Sequence, residues 1–297
     1  MKKILLIGGA SIDYIATSDQ PLEPEVSNNG TLSISFGGVS CNVCYNLAKL
    51  GNKVSFIAAI NNDEHGRLIK KHLDDLGVIC YSPTSVYPTS TYVAINDNDH
   101  DMALAIFDNR IVRSITPSYL KKNAKIIENA DYLVLDANLT SETIEYIVNT
   151  YHKNKLIFCE SISPQLVLRY KRVLDKIFFL KCNIHEARSL IHNRPLEKES
   201  LIKALFKRGL KNVVVSNNKF DIYYGLNGKD IYCFKIKPHT RFKNTTGCGD
   251  ALFSGIIDRI SMGEDFHSAI KFGNKLSNLT LMSDAANSPE VAKYHHE

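Results

Sequence analysis

Short runs of aliphatic and β-branched residues recur along the chain, separated by longer stretches in which apolar residues return every three to four positions. Alternation between the strand and helix periods predicts βα units, and so a largely parallel sheet with helices on both faces. The expected strands are 4–7, 53–58, 132–135, 156–159, 177–180 and 212–216. Helix starts are marked by cap residues. Asp63 can cap a helix that ends at Leu76-Gly77, and Thr116-Pro117 and Ser163-Pro164 each put a cap before a proline at the first helical position.

Two stretches break this rhythm, 13–36 and 89–111. Alternation in Thr91-Tyr92-Val93-Ala94-Ile95 and Met102-Ala103-Leu104-Ala105-Ile106 predicts a hairpin. Inserted after the first strand and after the third, these stretches are expected to form a small β-sheet lid over the carboxyl ends of the parallel strands, where α/β proteins bind ligands. The 297 residues carry apolar positions evenly, with no long polar stretch, and are read as one α/β domain spanning 1–297.

The charge of +5, from 36 Lys plus Arg against 31 Asp plus Glu, is scattered rather than gathered, so a nucleic-acid partner is not expected. A mild positive excess suits an anionic small substrate. Seven cysteines, odd in number and mostly isolated, do not form a disulfide framework and point to a reducing, cytoplasmic setting. Cys41 and Cys44 have no second Cys or His pair to complete a zinc site and are expected as buried helix thiols. The apolar run 4–7 stops at Gly8-Gly9 and is too short for export, and no segment reaches the ~18 apolar residues of a membrane span.

The run Asn244-Thr245-Thr246-Gly247-Cys248-Gly249-Asp250 precedes apolar residues at helical spacing, so a glycine-rich turn opens a helix. Its first N–H groups lack intrahelical partners and sit at the positive end of the dipole, where they can hold a phosphate or a developing oxyanion. Asp250 in that first turn reads either as a general base for an attacking hydroxyl or as a helix cap. Gly37-Gly38, before the helix carrying Asn42, reads either as a ligand-facing turn or as a plain tight turn. Gly8-Gly9-Ala10-Ser11-Ile12-Asp13 lacks the third glycine of a dinucleotide fingerprint. Asp13, at a strand's carboxyl end, is nonetheless placed to grip sugar hydroxyls. Glu186, three residues after Asn183 at a strand-to-helix junction, faces the same side as Asn183. It reads as a site residue or as a first-turn carboxylate favoured by the dipole.

The ordered set Gly8-Gly9 with Asp13, Gly37-Gly38 with Asn42, Asn183 with Glu186, and Gly247 to Asp250 resembles the ribokinase (PfkB) family of carbohydrate kinases over essentially the whole chain. Within it, Gly8 to Asp13, Asp101-Met102-Ala103-Leu104-Ala105, Ile115-Thr116-Pro117 and Leu135-Asp136-Ala137-Asn138-Leu139 are similar to the branch that phosphorylates pseudouridine. The resemblance implies transfer of the γ-phosphoryl of ATP to the 5′-hydroxyl of that nucleoside. It makes Asp250 the base and the amides of Gly247, Cys248 and Gly249 the anion hole. Ser11, Asp13, Gly37, Gly38 and Asn42 would hold the ribose, and Asn138, at the end of a strand facing the expected pocket, reads as an acceptor for a base N–H or as a partner for loop backbone. Asn183, Glu186, Ser216 and Asn287 would line the nucleotide groove. Mg²⁺ would be organised by Asn183 and Glu186 through water, and a monovalent cation such as K⁺ is allowed for. A homodimer through the lid fits the same picture.

Ser11 stands where the family usually has Asn, and Cys248 where it has Ala. Asn217-Asn218-Lys219-Phe220 lacks the glycines typical of the family's nucleotide loop, which leaves the phosphate donor open. Arg241 and Lys243 read as γ-phosphate contacts or as solvated surface cations. A ribokinase or another nucleoside kinase, and a nucleoside-binding regulatory protein without catalysis, stand as the alternative functions.

Overall fold

In a computed structural model, residues 2–192, 196–217, 220–237, 242–243 and 245–296 are described. In chain order the elements begin with β1 (Lys3–Gly9), β2 (Ser11–Ser18), β3 (Gly30–Gly37), α1 (Val39–Lys49), β4 (Lys53–Ala59), α2 (Glu64–Asp75) and β5 (Ile79–Tyr81). Next come β6 (Ser90–Asn96), β7 (Met102–Asp108), α3 (Pro117–Lys122), α4 (Ala124–Glu128), β8 (Tyr132–Asp136), α5 (Ser141–Tyr151) and β9 (Leu156–Glu160). The chain continues through β10 (Phe179–Asn183), α6 (Ile184–Leu190), α7 (Lys198–Phe206), β11 (Val213–Asn217), β12 (Phe220–Leu226) and β13 (Asp230–Phe234). It closes with α8 (Cys248–Ser261) and α9 (Phe266–Leu281).

Nine strands form the main sheet in the order β13-β12-β11-β10-β9-β8-β1-β4-β5, parallel from β11 to β5 with an antiparallel pair at one edge. Strand side chains alternate between its two faces. Leu5, Ile7, Leu133 and Leu135 belong to a core under α3 to α7, whereas Ile4, Leu6, Val54 and Phe56 belong to a second core under α1, α2, α8 and α9. Both faces being covered explains why these strands read as nearly continuous apolar runs. The winding reverses between β1 and β8, which opens a crevice at their carboxyl ends.

The irregular stretches form a second sheet, β3-β2-β6-β7, with β2 and β6 parallel and the outer pairs antiparallel. Only Ala10 separates β1 from β2, and only Gly38 separates β3 from α1, so the two sheets are hinged at the crevice. Gly38 makes the second junction with φ 90°, which L side chains rarely adopt, and a Cβ there would lie 3.0 Å from Ala10 Cα.

The expected caps are present: Asp63 accepts from Gly66 N–H and Thr116 from Tyr119 N–H. Two expectations are corrected. Ser163 does accept from Leu166 N–H, but Pro164 leads into a turn and a 3₁₀ helix, Leu166–Tyr170, rather than an α-helix. The strand expected at 177–180 is shifted, because Phe178 N–H bonds to Ile157 O ahead of a strand that starts at Phe179 and runs to Asn183. Cys41 and Cys44 are buried in α1 as expected.

Candidate active site

Parallel strands bring their carboxyl ends to one edge, and there the chain repeatedly places a charged or polar residue after an apolar run. Gly9 ends β1, Asp136 ends β8, Glu160 ends β9, Asn183 ends β10, and Ser216 pairs in register with Asn183. Asp136 is the buried keystone of the crevice. One carboxylate oxygen accepts from Gly9 N–H at 3.0 Å and Ser40 Oγ at 2.6 Å, and the other from Asn138 N–H at 2.8 Å. A methyl group on Gly8 would collide with that carboxylate and with Ser40, so glycine is required where β1 meets β8.

The glycine-rich turn opens α8 as expected. Gly247 is the N-cap in the left-handed region, φ 80° and ψ −10°, and a side chain there would collide with Ala286 O. The first intrahelical bond runs from Ala251 N–H to Gly247 O at 2.8 Å, so the amides of Cys248, Gly249 and Asp250 precede the helix's own acceptors. Asn244 lies outside the described residues. Asp250 does not cap α8. Its Oδ2 accepts from Asn42 Nδ2 at 2.7 Å, and Asn42 Oδ1 in turn accepts from Asn287 Nδ2 at 2.9 Å. Burial pushes the Asp250 carboxyl up to about 6, with Asp136 adding to the rise and the Lys181 cation and the Asn42 bond opposing it. Near neutral pH it is therefore mostly a carboxylate.

On the small sheet, Ser11 Oγ donates to Asp13 Oδ1 at 2.6 Å, and Asp13 packs against Gly37, where any side chain would collide with it. Burial raises the Asp13 carboxyl, and the Ser11 bond lowers it. Ser11, Asp13, Gly37, Gly38 and Asn42 thus gather around the hinge between the sheets. Asn138 lies just past β8, close to Gly9, and its Oδ1 accepts from Asn109 Nδ2 at 3.0 Å. One lone pair of the expected acceptor is already used; the second remains. The turn carrying it is held by Arg169, whose Nη1 donates to the carbonyls of Ala137, Asn138 and Leu139.

Asn183 and Glu186 form a capping box at the start of α6. Asn183 Oδ1 takes the N–H groups of His185 and Glu186, while Glu186 Oε2 takes Asn183 N–H and the Ser161 hydroxyl. Among the described residues no group of three or more His, Cys, Asp or Glu could hold a metal. With four of their acceptor positions spent locally, this pair fits a Mg²⁺ reached only through water and does not fit an all-protein cage. Asn287, expected in the nucleotide groove, donates from Nδ2 to Asn42 Oδ1, and its neighbour Ala286 lies against Gly247. Lys243 pairs with Asp284 at 2.8 Å on the surface, and Asn218, Lys219 and Arg241 lie outside the described residues.

Sequence reading missed Lys181 and Glu160. Lys181 Nζ donates to Glu160 Oε1 at 2.7 Å with both side chains buried, and a Cβ on Gly249 would lie 2.5 Å from Nζ. The available signal was a charged residue inside or closing an apolar strand, as in Phe179-Leu180-Lys181-Cys182 and Phe158-Cys159-Glu160.

A family model described as pfkB family carbohydrate kinase matches residues 1–293. Pseudouridine kinase of Escherichia coli K12 is 29% identical over 296 residues, covering 97% of this chain and 93% of the relative. A carbohydrate kinase structure from Agrobacterium tumefaciens superposes with a TM-score of 0.85 at 29% identity, covering 99% of this chain and 97% of that one. Arabidopsis thaliana ribokinase complexed with ribose and ATP shares the fold, with a TM-score of 0.83 at 19% identity over 100% of this chain and 99% of that one.

Proposed function

Because the chain belongs to the pfkB family of carbohydrate kinases, we propose that it transfers the γ-phosphoryl group of ATP to the 5′-hydroxyl of pseudouridine in the cytoplasm. The observation that carries this reading is the Asp250 carboxylate beside the left-handed Gly247 turn, used among the described residues neither as a cap nor in an ion pair but aligned by Asn42.

In this reading Ser11, Asp13 and Asn42 orient the ribose so that its 5′-hydroxyl meets Asp250. Asp250 takes the hydroxyl proton as the oxygen attacks the γ-phosphorus, and the bond to the β-phosphate oxygen breaks to release ADP. The transferring phosphoryl is loose, with charge on its equatorial oxygens, so alignment and first-turn amides provide most of the acceleration. Asn183 and Glu186 would hold the water shell of a Mg²⁺ bound with ATP, which would offset phosphate charge. Closure of the small sheet excludes water from the transfer.

Cys248 contributes only its backbone N–H. Burial pushes its thiol up to about 11, so it is no nucleophile at neutral pH. Cys248→Ala is therefore expected to keep most of the turnover, and collapse of a well-folded variant would show a role for the thiol. The overall test is an ADP-release assay over pseudouridine, uridine, other nucleosides and ribose, with and without K⁺. Phosphorylation of ribose or another nucleoside in preference to pseudouridine moves the acceptor within the family, and no ADP release with any of them removes the kinase reading.

The small sheet also supports self-association. Its outer face carries two apolar rows, Ile34-Tyr14-Val93-Ile106 and Leu32-Ala16-Ile95-Leu104, with Leu32 63%, Ile34 60%, Leu104 56% and Ile106 67% exposed. Such a patch suits burial against a second copy about a two-fold axis. Sedimentation is expected to give a dimer that Ile34→Lys converts to a monomer; a monomeric wild-type chain rejects it.

A further inference from the structure

We infer that Lys181 is a positioning residue for phosphoryl transfer: its ammonium, clamped by Glu160 beneath the Gly249 backbone, is the fixed positive charge that keeps Asp250 a carboxylate able to accept a proton. This rests on the reading of Asp250 as the general base.

A lysine is rarely buried without a partner, and this one is buried on β10, in the middle of an apolar strand. Its Nζ donates to Glu160 Oε1 at 2.7 Å, while Glu160 Oε2 is buried with no hydrogen-bond partner among the described residues. A structural ion pair of this kind is an expensive way to fill space, since apolar residues of similar volume are often neutral or better. The location gives it a use. Nζ lies against Gly249, the residue before Asp250, and the absence of a side chain at 249 is what makes room for the ammonium.

The groups that face Asp250 come from three elements. Lys181 on β10 favours its charged form, Asp136 at the end of β8 opposes it, and Asn42 on α1 donates to it. Glu160 on β9 and Glu186 on α6 act on the lysine. Burial works against the ammonium, but Glu160, Asp250 and Glu186 outweigh it and raise Lys181 above its ordinary value. Burial, Asp250 and Glu186 push the Glu160 carboxyl up to about 8 against the pull of Lys181. The ammonium is thus held charged among three carboxyl groups, one of which is Asp250.

Lys181→Met removes the opposite charge, which normally lowers a carboxyl by ~1–3 units. The folded carboxyl then titrates higher, so the acid limb of kcat/KM against pH is expected to move up by about one unit or more, while the plateau at high pH recovers most of the wild-type rate. Lys181→Met/Glu160→Gln removes both members of the pair and leaves no ionised carboxyl without its cation. It carries the same prediction if the single variant does not fold. A rate lowered equally at every pH, with the limb in place, assigns Lys181 a structural role and overturns the inference. A raised KM for ATP with an unmoved limb overturns it in favour of phosphate binding. Asp250→Asn run alongside separates the two levels. Turnover near wild type there removes the base itself, whereas a large loss there with an unmoved limb in the lysine variants removes only the role of Lys181.

Discussion

Asp250→Asn is expected to bind nucleoside about as well as the wild-type chain and to turn it over at least ~10²-fold more slowly, the usual loss for a general base. The substitution is nearly isosteric and keeps an oxygen that can accept from Asn42 Nδ2, so the Asn42–Asn287 link survives. It removes an acceptor strong enough to take the hydroxyl proton. It also removes a buried carboxylate whose charge is disfavoured by burial, so the variant should be no less stable near neutral pH. Single-turnover phosphoryl transfer, measured with nucleoside affinity by calorimetry, separates the two effects. Near-normal transfer with intact binding would exclude Asp250 from proton transfer.

The second large effect concerns the acceptor. Pseudouridine and uridine share the ribose and both carbonyls, but the carbon-linked base carries an N1–H donor where uridine presents an apolar C–H edge. Asn138 Oδ1 retains one lone pair after accepting from Asn109, and Arg169 fixes the turn beneath it, so the oxygen is held in orientation. If this oxygen takes the N1–H, uridine leaves a buried acceptor unpaired, and sites built around such a bond reject the analogue by ~10⁴-fold in kcat/KM. Pseudouridine is accordingly expected to exceed uridine by that order and free ribose by orders of magnitude. Asn138→Ala should narrow the gap mainly by lowering the pseudouridine value. Equal use of uridine would reject this recognition and leave the phosphoryl chemistry untouched.

The βα architecture was legible because strands buried on both faces are written as apolar runs, and α8 because Gly247 and Asp250 stand at the start of a helical period. The limits were also physical. Shifts of β10 and of the Pro164 helix depend on which backbone groups a neighbouring segment already occupies, as Phe178 and Ile157 do, and spacing carries no trace of that. Asn183 and Glu186 were visible as a pair, but their use of each other as caps appears only in the folded chain. Asn287 and Asn42 are separated by 245 positions, so their bond had no local signal. Lys181 and Glu160 did leave one, a charge within an apolar strand, which patterning treats as noise unless burial is known.

The single-residue hinges at Ala10 and Gly38 have a consequence for how the protein can diverge. Ser11, Asp13 and Gly37, which surround the expected sugar position, sit in the first 37 residues, whereas Asn183, Ser216 and the α8 turn sit beyond residue 180. The β2–β3 half of the exposed sheet enters and leaves the main body through junctions one residue long, so its strands can drift in sequence without disturbing the packing of β8 to β11. Acceptor preference and phosphate handling are then inherited as separable modules of one chain. A recombinant that exchanges 11–37, 90–108 and the turn carrying Asn138 with a relative is expected to inherit the relative's taste in alcohols and to keep its own engine.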